Sequence, residues 1–140
     1  MQVSSFEEII AQIVAQDPRY RRDAYCFVRE ALDHTQKSMA RPRQGECRHV
    51  SGRELLDGIR EYALRQFGPM TLAVLGEWHI TRCEDFGEIV FNMVETRLLA
   101  KTEQDSPEDF KNAYDFHDAF RKPFLPAARV KDPLFVSKQG

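Results

Sequence analysis

Cys47 and His49 flank Arg48 in a polar stretch, and a Cys-x-His spacing places a thiolate and an imidazole where they could share a metal ion or act as nucleophile and base. Two ligands do not complete a zinc site, and Cys26, His34, His79, Cys83 and His117 stand at spacings that match no known ligand pattern. A simpler chemistry is available beside that pair. Ser51 opens a helical pattern, and helix amino termini attract anions, so Arg48, His49, Ser51 and Arg53 form a candidate phosphate- or carboxylate-binding group. The paired carboxylates Glu84-Asp85 and Glu108-Asp109 fall at helix starts, where the helix dipole accounts for them. The chain has no P-loop, no Gly-rich dinucleotide turn and no GxSxG elbow. These residues therefore predict no catalytic group, no metal, no cofactor and no enzymatic activity.

The elements that must position these residues are mainly helical. Phe6, Ile9, Ile10 and Ile13 recur at helical spacing and predict a short amphipathic helix, ended by Asp17-Pro18. A second helix runs from Arg21 to about Met39, so residues 6–39 read as a helical pair. Residues 40–50, with Pro42 and Gly45 in a polar stretch, read as a loop. Ser51 stands three residues ahead of Glu54, a capping-box spacing that predicts a helix to Phe67, stopped by Gly68. Pro69 to Trp78 gives a second helix of this part, and Glu84 to Leu98 a third.

That order, three helices and then Leu99–Thr102 and Phe110–Tyr114 as two strands around an acidic turn, is the order of a winged helix with a small β-hairpin over 51–122. Ser106-Pro107-Glu108-Asp109 is equally a helix start, so 106–120 reads as wing strand or helix. Residues 123–140 combine Pro123, Pro126 and Pro133 with Phe124, Leu125, Leu134 and Phe135, which predicts an extended tail whose apolar groups dock on its own domain, a second copy or a partner.

With 140 residues, 42% of them apolar and 30% charged, the chain suits a single domain with a core of ordinary size. No apolar run approaches the roughly 18 residues that span a bilayer, and the first residues lack a basic, then apolar, leader pattern. Three cysteines without a CxxC pair indicate reduced thiols, and a cytoplasmic location is expected, without a membrane partner. The net charge of −2 conceals three blocks: basic over 35–53, acidic over 84–118, and basic again over 119–140.

Several short runs are shared with a known group of proteins. Asp17-Pro18-Arg19-Tyr20, Arg48-His49-Val50-Ser51-Gly52, Phe67-Gly68-Pro69-Met70, Asp85-Phe86-Gly87-Glu88-Ile89-Val90-Phe91 and Lys101-Thr102-Glu103-Gln104-Asp105-Ser106 resemble an uncharacterised family of about 140 residues restricted to planctomycete and verrucomicrobial bacteria. The similarity runs from about Phe6 to Phe124 and implies no activity, so it transfers no functional residue. One departure is Trp78-His79, where Trp-Gly is the expected turn; a non-glycine makes a left-handed turn residue costlier.

A DNA-reading third helix would offer Arg, Lys, Asn or Gln to the major groove. This one offers Glu84, Asp85, Glu88 and Glu95. The sequence thus predicts a non-enzymatic protein-protein interaction module whose acidic third helix meets a partner with a basic surface. The alternative is a regulatory nucleic-acid binder that uses the basic loop 41–53 and the basic tail 121–138 as phosphate contacts.

Overall fold

A computed structural model of the chain describes residues 6–38, 50–99 and 106–126, and is mainly helical. Five α-helices follow in order: α1 (Phe6–Gln16), α2 (Arg22–Ser38), α3 (Gly52–Phe67), α4 (Thr71–Glu77) and α5 (Cys83–Glu95). Three single turns of 3-10 helix, at Gly68–Met70, Pro107–Phe110 and Lys122–Phe124, and a π-helical turn at His117–Arg121 complete the described chain.

Local chemistry explains most boundaries. Ser51 accepts a hydrogen bond from Glu54 N at 3.1 Å while Glu54 Oε1 accepts one from Ser51 N at 3.0 Å, the reciprocal cap that the spacing predicts. Gly68 ends α3 at φ 51, and Pro69 then starts a 3-10 turn, so α4 begins at Thr71 rather than Pro69. His79 does enter the left-handed region, at φ 66, despite its Cβ. Its N–H donates to Gly76 O at 3.0 Å and that of Ile80 to Leu75 O at 2.9 Å, the paired bonds of a Schellman ending. His79 Nδ1 also lies 3.0 Å from Arg19 O, a hydrogen bond that offsets the strain. The end of α5 repeats the device, with Arg97 at φ 67 and Leu98 N bonded to Met93 O, which stops the helix at Glu95 instead of Leu98.

The helices α2 and α3 meet most closely where α3 has no side chain. A Cβ on Gly58 would stand 1.7 Å from Thr35 Oγ1, inside the volume that the Thr35 side chain occupies. The Thr35 hydroxyl is itself held, donating to Ala31 O at 2.7 Å. Around this crossing, Ile10, Tyr25, Val28, Leu56, Ile59, Leu75, Phe86, Ile89 and Met93 are fully buried in one core. Phe27, Tyr62, Phe67 and Trp78 pack as a ring cluster at its edge, with Phe27 5.6, 5.6 and 5.5 Å from the other three centroids.

The wing does not form. Among the described residues there is no strand, and Phe110, the first residue of the predicted second strand, lies in a 3-10 turn with 3% exposure. Two forces decide against the hairpin. Ser106 Oγ accepts from Glu108 N at 3.1 Å and Asp109 accepts from Ser106 N at 3.3 Å, so a helical start satisfies the backbone locally. The Phe110 ring is also inserted where a Cβ on Gly87 would lie 2.9 Å from its Cβ, and one on Gly52 3.1 Å from its Cε2. The first proposed strand, Leu99–Thr102, falls mostly outside the described residues. The predicted tail also begins later than residue 123, because Lys122–Phe124 is a helical turn and the chain becomes extended at Leu125.

The crossing yields a contrast between two helical glycines. Gly58→Ala should lower stability by about 1–3 kcal/mol through overpacking, although alanine is the better helix former by about 1 kcal/mol. Gly76→Ala in α4, where nothing lies within 4 Å of the added atom, should raise stability by up to about 1 kcal/mol. Urea denaturation of the two variants and of Gly58→Ala/Thr35→Ala checks this. The double variant should recover part of the Gly58→Ala loss, because it removes Oγ1 and Cγ2 but leaves the Cβ of residue 35 at 2.8 Å from the added atom; no recovery at all would move the strain away from Thr35.

Candidate functional site

Two features outside the packed core could meet a ligand: the outer face of α5 and a groove beside it. Positions 84, 88, 91 and 95 recur at helical intervals, so Glu84, Glu88, Phe91 and Glu95 form one stripe. Asp85 is turned away from it. Its Oδ1 accepts from Tyr20 Oη at 2.6 Å, and its Oδ2 accepts from the backbone N–H groups of Thr81 at 2.9 Å and Arg82 at 3.2 Å. Asp85 therefore caps its own helix and ties down the turn between α1 and α2, so it leaves the predicted partner face. Burial first, and then the Asp85 carboxylate, push the Tyr20 hydroxyl well above the usual phenol range.

Glu88 is shared between outside and inside. Its side chain is 51% exposed, yet its Oε1 lies 3.0 Å from Arg19 Nη2. Arg19 holds Asp17 with two bonds, Nε to Oδ1 at 2.8 Å and Nη2 to Oδ2 at 2.7 Å. Asn92 on α5 donates to both Asp17 Oδ2 and Tyr25 Oη, each at 3.0 Å. The Arg19 guanidinium, aided by Asn92, holds the Asp17 carboxyl well below the usual carboxylate range. Burial pushes the Tyr25 phenol up. This network joins the α1–α2 turn to α5. Sequence reasoning missed it, although Asn92 between Phe91 and Met93 was a visible signal, a polar residue set in an apolar helix. Glu84 and Glu95 make no salt bridge among the described residues.

The groove lies between the carboxy-terminal end of α2, the start of α3, the second half of α5 and the 106–110 turn. It has a volume of about 320 Å³, opens to solvent, and is walled by Leu32, Val50, Leu55, Val90, Phe91, Val94, Leu98, Leu99 and Phe110. Phe91 belongs both to this wall and to the acidic stripe; Glu84 and Glu88 line a separate, smaller cleft with Phe91 and Lys111, and the acid that lines the groove itself is Asp109. Its polar rim, Gln36, Ser51, Ser106 and Asp109, is largely engaged by the chain itself. Ser51 and Ser106 hydroxyls accept from backbone N–H groups, and Asp109 accepts from Ser106 N. What the groove offers a visitor is apolar surface.

Of the four residues of the predicted anion site, Ser51 and Arg53 are among those described. The Ser51 hydroxyl and the N–H groups of Ser51 and Glu54 are consumed by the capping box, and Arg53 Nη2 points to Lys111 O at 3.5 Å. Arg48, His49 and Cys47 lie outside the described residues, as do Leu134 and Phe135 of the tail. Phe124 is 44% exposed and Leu125 half-buried, so neither is docked in a core.

Burial pushes the Cys83 and Cys26 thiols up, away from the reactive thiolate, and Cys83 Sγ donates to Tyr114 O at 3.4 Å. Tyr114, also raised strongly by burial, donates to Leu56 O at 2.9 Å. His34 pairs with Glu61 and His79 with a backbone carbonyl. The residues that could hold a metal are Asp115, His117 and Asp118, whose ligand atoms lie within 4.8 Å of one another on the exposed surface. Asp115 Oδ2 there accepts from Asp118 N at 3.1 Å, starting the next turn, and the Lys122 ammonium is 3.8 Å from Asp118.

No family model matches this chain, no curated protein is similar to it, and no solved structure matches it. Among the described residues, no helix is long and apolar enough to cross a membrane.

The depressed Asp17 carboxyl has a signed consequence. A carboxylate whose folded pKa lies below its unfolded value of about 3.9 stabilises the fold fully above that value and loses the contribution as pH falls through the folded pKa. Asp17→Asn should cost about 1–3 kcal/mol at pH 7, and the gap to the parent protein should narrow steadily below about pH 4. Urea midpoints at pH 7 and pH 3 measure it. An equal gap at both would mean that the Asp17 charge contributes nothing.

Proposed function

We propose that this protein is a protein-interaction module, and that its groove between α2, α3 and α5 takes an apolar helical or extended segment of a partner protein whose flanks are basic. The observation that carries this reading is the composition of the groove: a wall of aliphatic and aromatic side chains, with Ser51, Ser106 and Asp109 of its polar rim engaged by the chain itself. Such a surface rewards apolar anchors rather than a polar substrate that needs directed hydrogen bonds. The edge carries the sign. Glu84, Glu88 and Glu95 share an α5 stripe with Phe91, a wall residue, and Asp109 lines the groove itself; acids so placed favour approach by a cationic partner and resist a phosphate backbone. The acidic third helix therefore sets the sign of the approach, and the apolar wall supplies the affinity.

Fluorescence anisotropy with a labelled synthetic Leu/Lys amphipathic helix of about five turns, and with its Leu/Glu counterpart, tests the reading. The Leu/Lys peptide should bind at least about tenfold more tightly than the Leu/Glu one. Val94→Asp, which places a charge on the groove wall while adding to the negative field, should weaken the Leu/Lys complex about tenfold or more with the thermal melt still cooperative. Equal binding of both peptides, or binding indifferent to Val94→Asp, would sink the proposal. Tight, steeply salt-dependent binding of duplex DNA would replace it with the nucleic-acid reading.

A further inference from the structure

The groove has a candidate occupant within the chain. Among residues outside those described, 1–5 supplies only Met1 and Val3 as apolar groups, 39–49 only Met39, Ala40 and Cys47, and 100–105 only Ala100. The carboxy-terminal stretch is different: Leu134-Phe135-Val136 is a run of three large apolar residues, with Arg129, Lys131 and Lys138 around it. That is the chemistry the groove and its rim select, apolar in the middle and cationic on the flanks.

We infer that Leu134, Phe135 and Val136 of the tail occupy the α2–α3–α5 groove of their own chain and compete there with a partner segment. The inference rests on the reading of that groove as an interaction site and names its regulation. Reach permits it. The described chain ends just beyond the turn Lys122–Phe124, and the preceding aromatic residues sit at the amino-terminal half of α5, where the Phe86 and Phe116 rings are 5.8 Å apart. The groove wall at Val94 is further along the same helix by eight residues, or about 12 Å at 1.5 Å per residue. From Pro126 to Leu134 the chain can extend about 26–29 Å, more than twice that spacing along α5. Tethering also strengthens weak contacts: a short linker holds its end at an effective concentration in the millimolar range. Val90, Phe91, Val94, Leu98 and Phe110 would receive the three side chains, and Asp109 on the rim, with Glu95 on the α5 stripe that shares Phe91 with the wall, would face the lysines. Pro133 before the run favours an extended entry.

Two measurements on the full chain test it. A photo-crosslinking benzoylphenylalanine at position 135 should join, within the monomer, to peptides containing residues 90–99. Crosslinks found only in covalent dimers, mapped only elsewhere, or absent would overturn the inference. Phe135→Asp should bind the Leu/Lys helix about tenfold more tightly than the parent, because a site covered nine-tenths of the time shows a tenth of its intrinsic affinity. Measurable but unchanged affinity overturns the competition. If the probe binds neither protein while the intramolecular crosslink maps to the groove, tail docking stands and the partner-binding reading falls. If the probe binds both equally and no crosslink reaches the groove, the reverse holds.

Discussion

The whole arrangement depends on how closely α2 and α3 approach at Gly58, where the Thr35 side chain fills the space a side chain on α3 would need. Interior packing at crystal-like density leaves no room for a second solution there. The contact fixes the separation and register of the two longest helices, and α5 then crosses both through Phe86, Ile89 and Met93. The Thr35 hydroxyl is bonded to its own helix, so the buried polar atom adds no unsatisfied group to that interface.

The second constraint is polar. Asp17, Arg19, Asn92, Tyr25, Tyr20 and Asp85 connect the α1–α2 turn to α5 through charged and neutral hydrogen bonds. Their role explains why the acids of α5 cannot be treated alike. Asp85 is spent on the start of the helix and on Tyr20, Glu88 is divided between Arg19 and solvent, and Glu84 and Glu95 keep the outer stripe. A single helix thus presents structural carboxylates on one side and a negative border on another, separated by the hundred-degree advance per residue of an α-helix.

Phe110 links that scaffold to the groove. By entering the gap at Gly52 and Gly87, it anchors the 106–110 turn against the beginning of α3 and the middle of α5, and it leaves its own edge as one wall of the cleft. The segment that looked like a wing becomes a brace. An apolar groove next to a negative border follows directly from that docking, because the turn holds the exposed parts of Val90, Phe91 and Val94 open instead of covering them with a hairpin.

The sequence by itself determined where the five helices lie and some of their ends. Helical periodicity placed α1 ahead of Asp17-Pro18, the Ser51–Glu54 spacing gave the cap of α3, and Gly68-Pro69 gave the break that follows, since all of these are set within a few residues along the chain. The same local logic placed the acids near α5 and left the choice open between strand and helix after Ser106. Tertiary structure decided that choice, because the deciding term was the fit of Phe110 between two glycines that lie 58 and 23 positions away. It also decided which carboxylates face outward, through partners such as Tyr20 and Arg19 that lie 65 and 69 positions from theirs. The groove could not be read in advance for the same reason: its walls come from four separated segments, and which apolar side chains remain uncovered is a property of packing between elements, invisible to a pattern that runs within one.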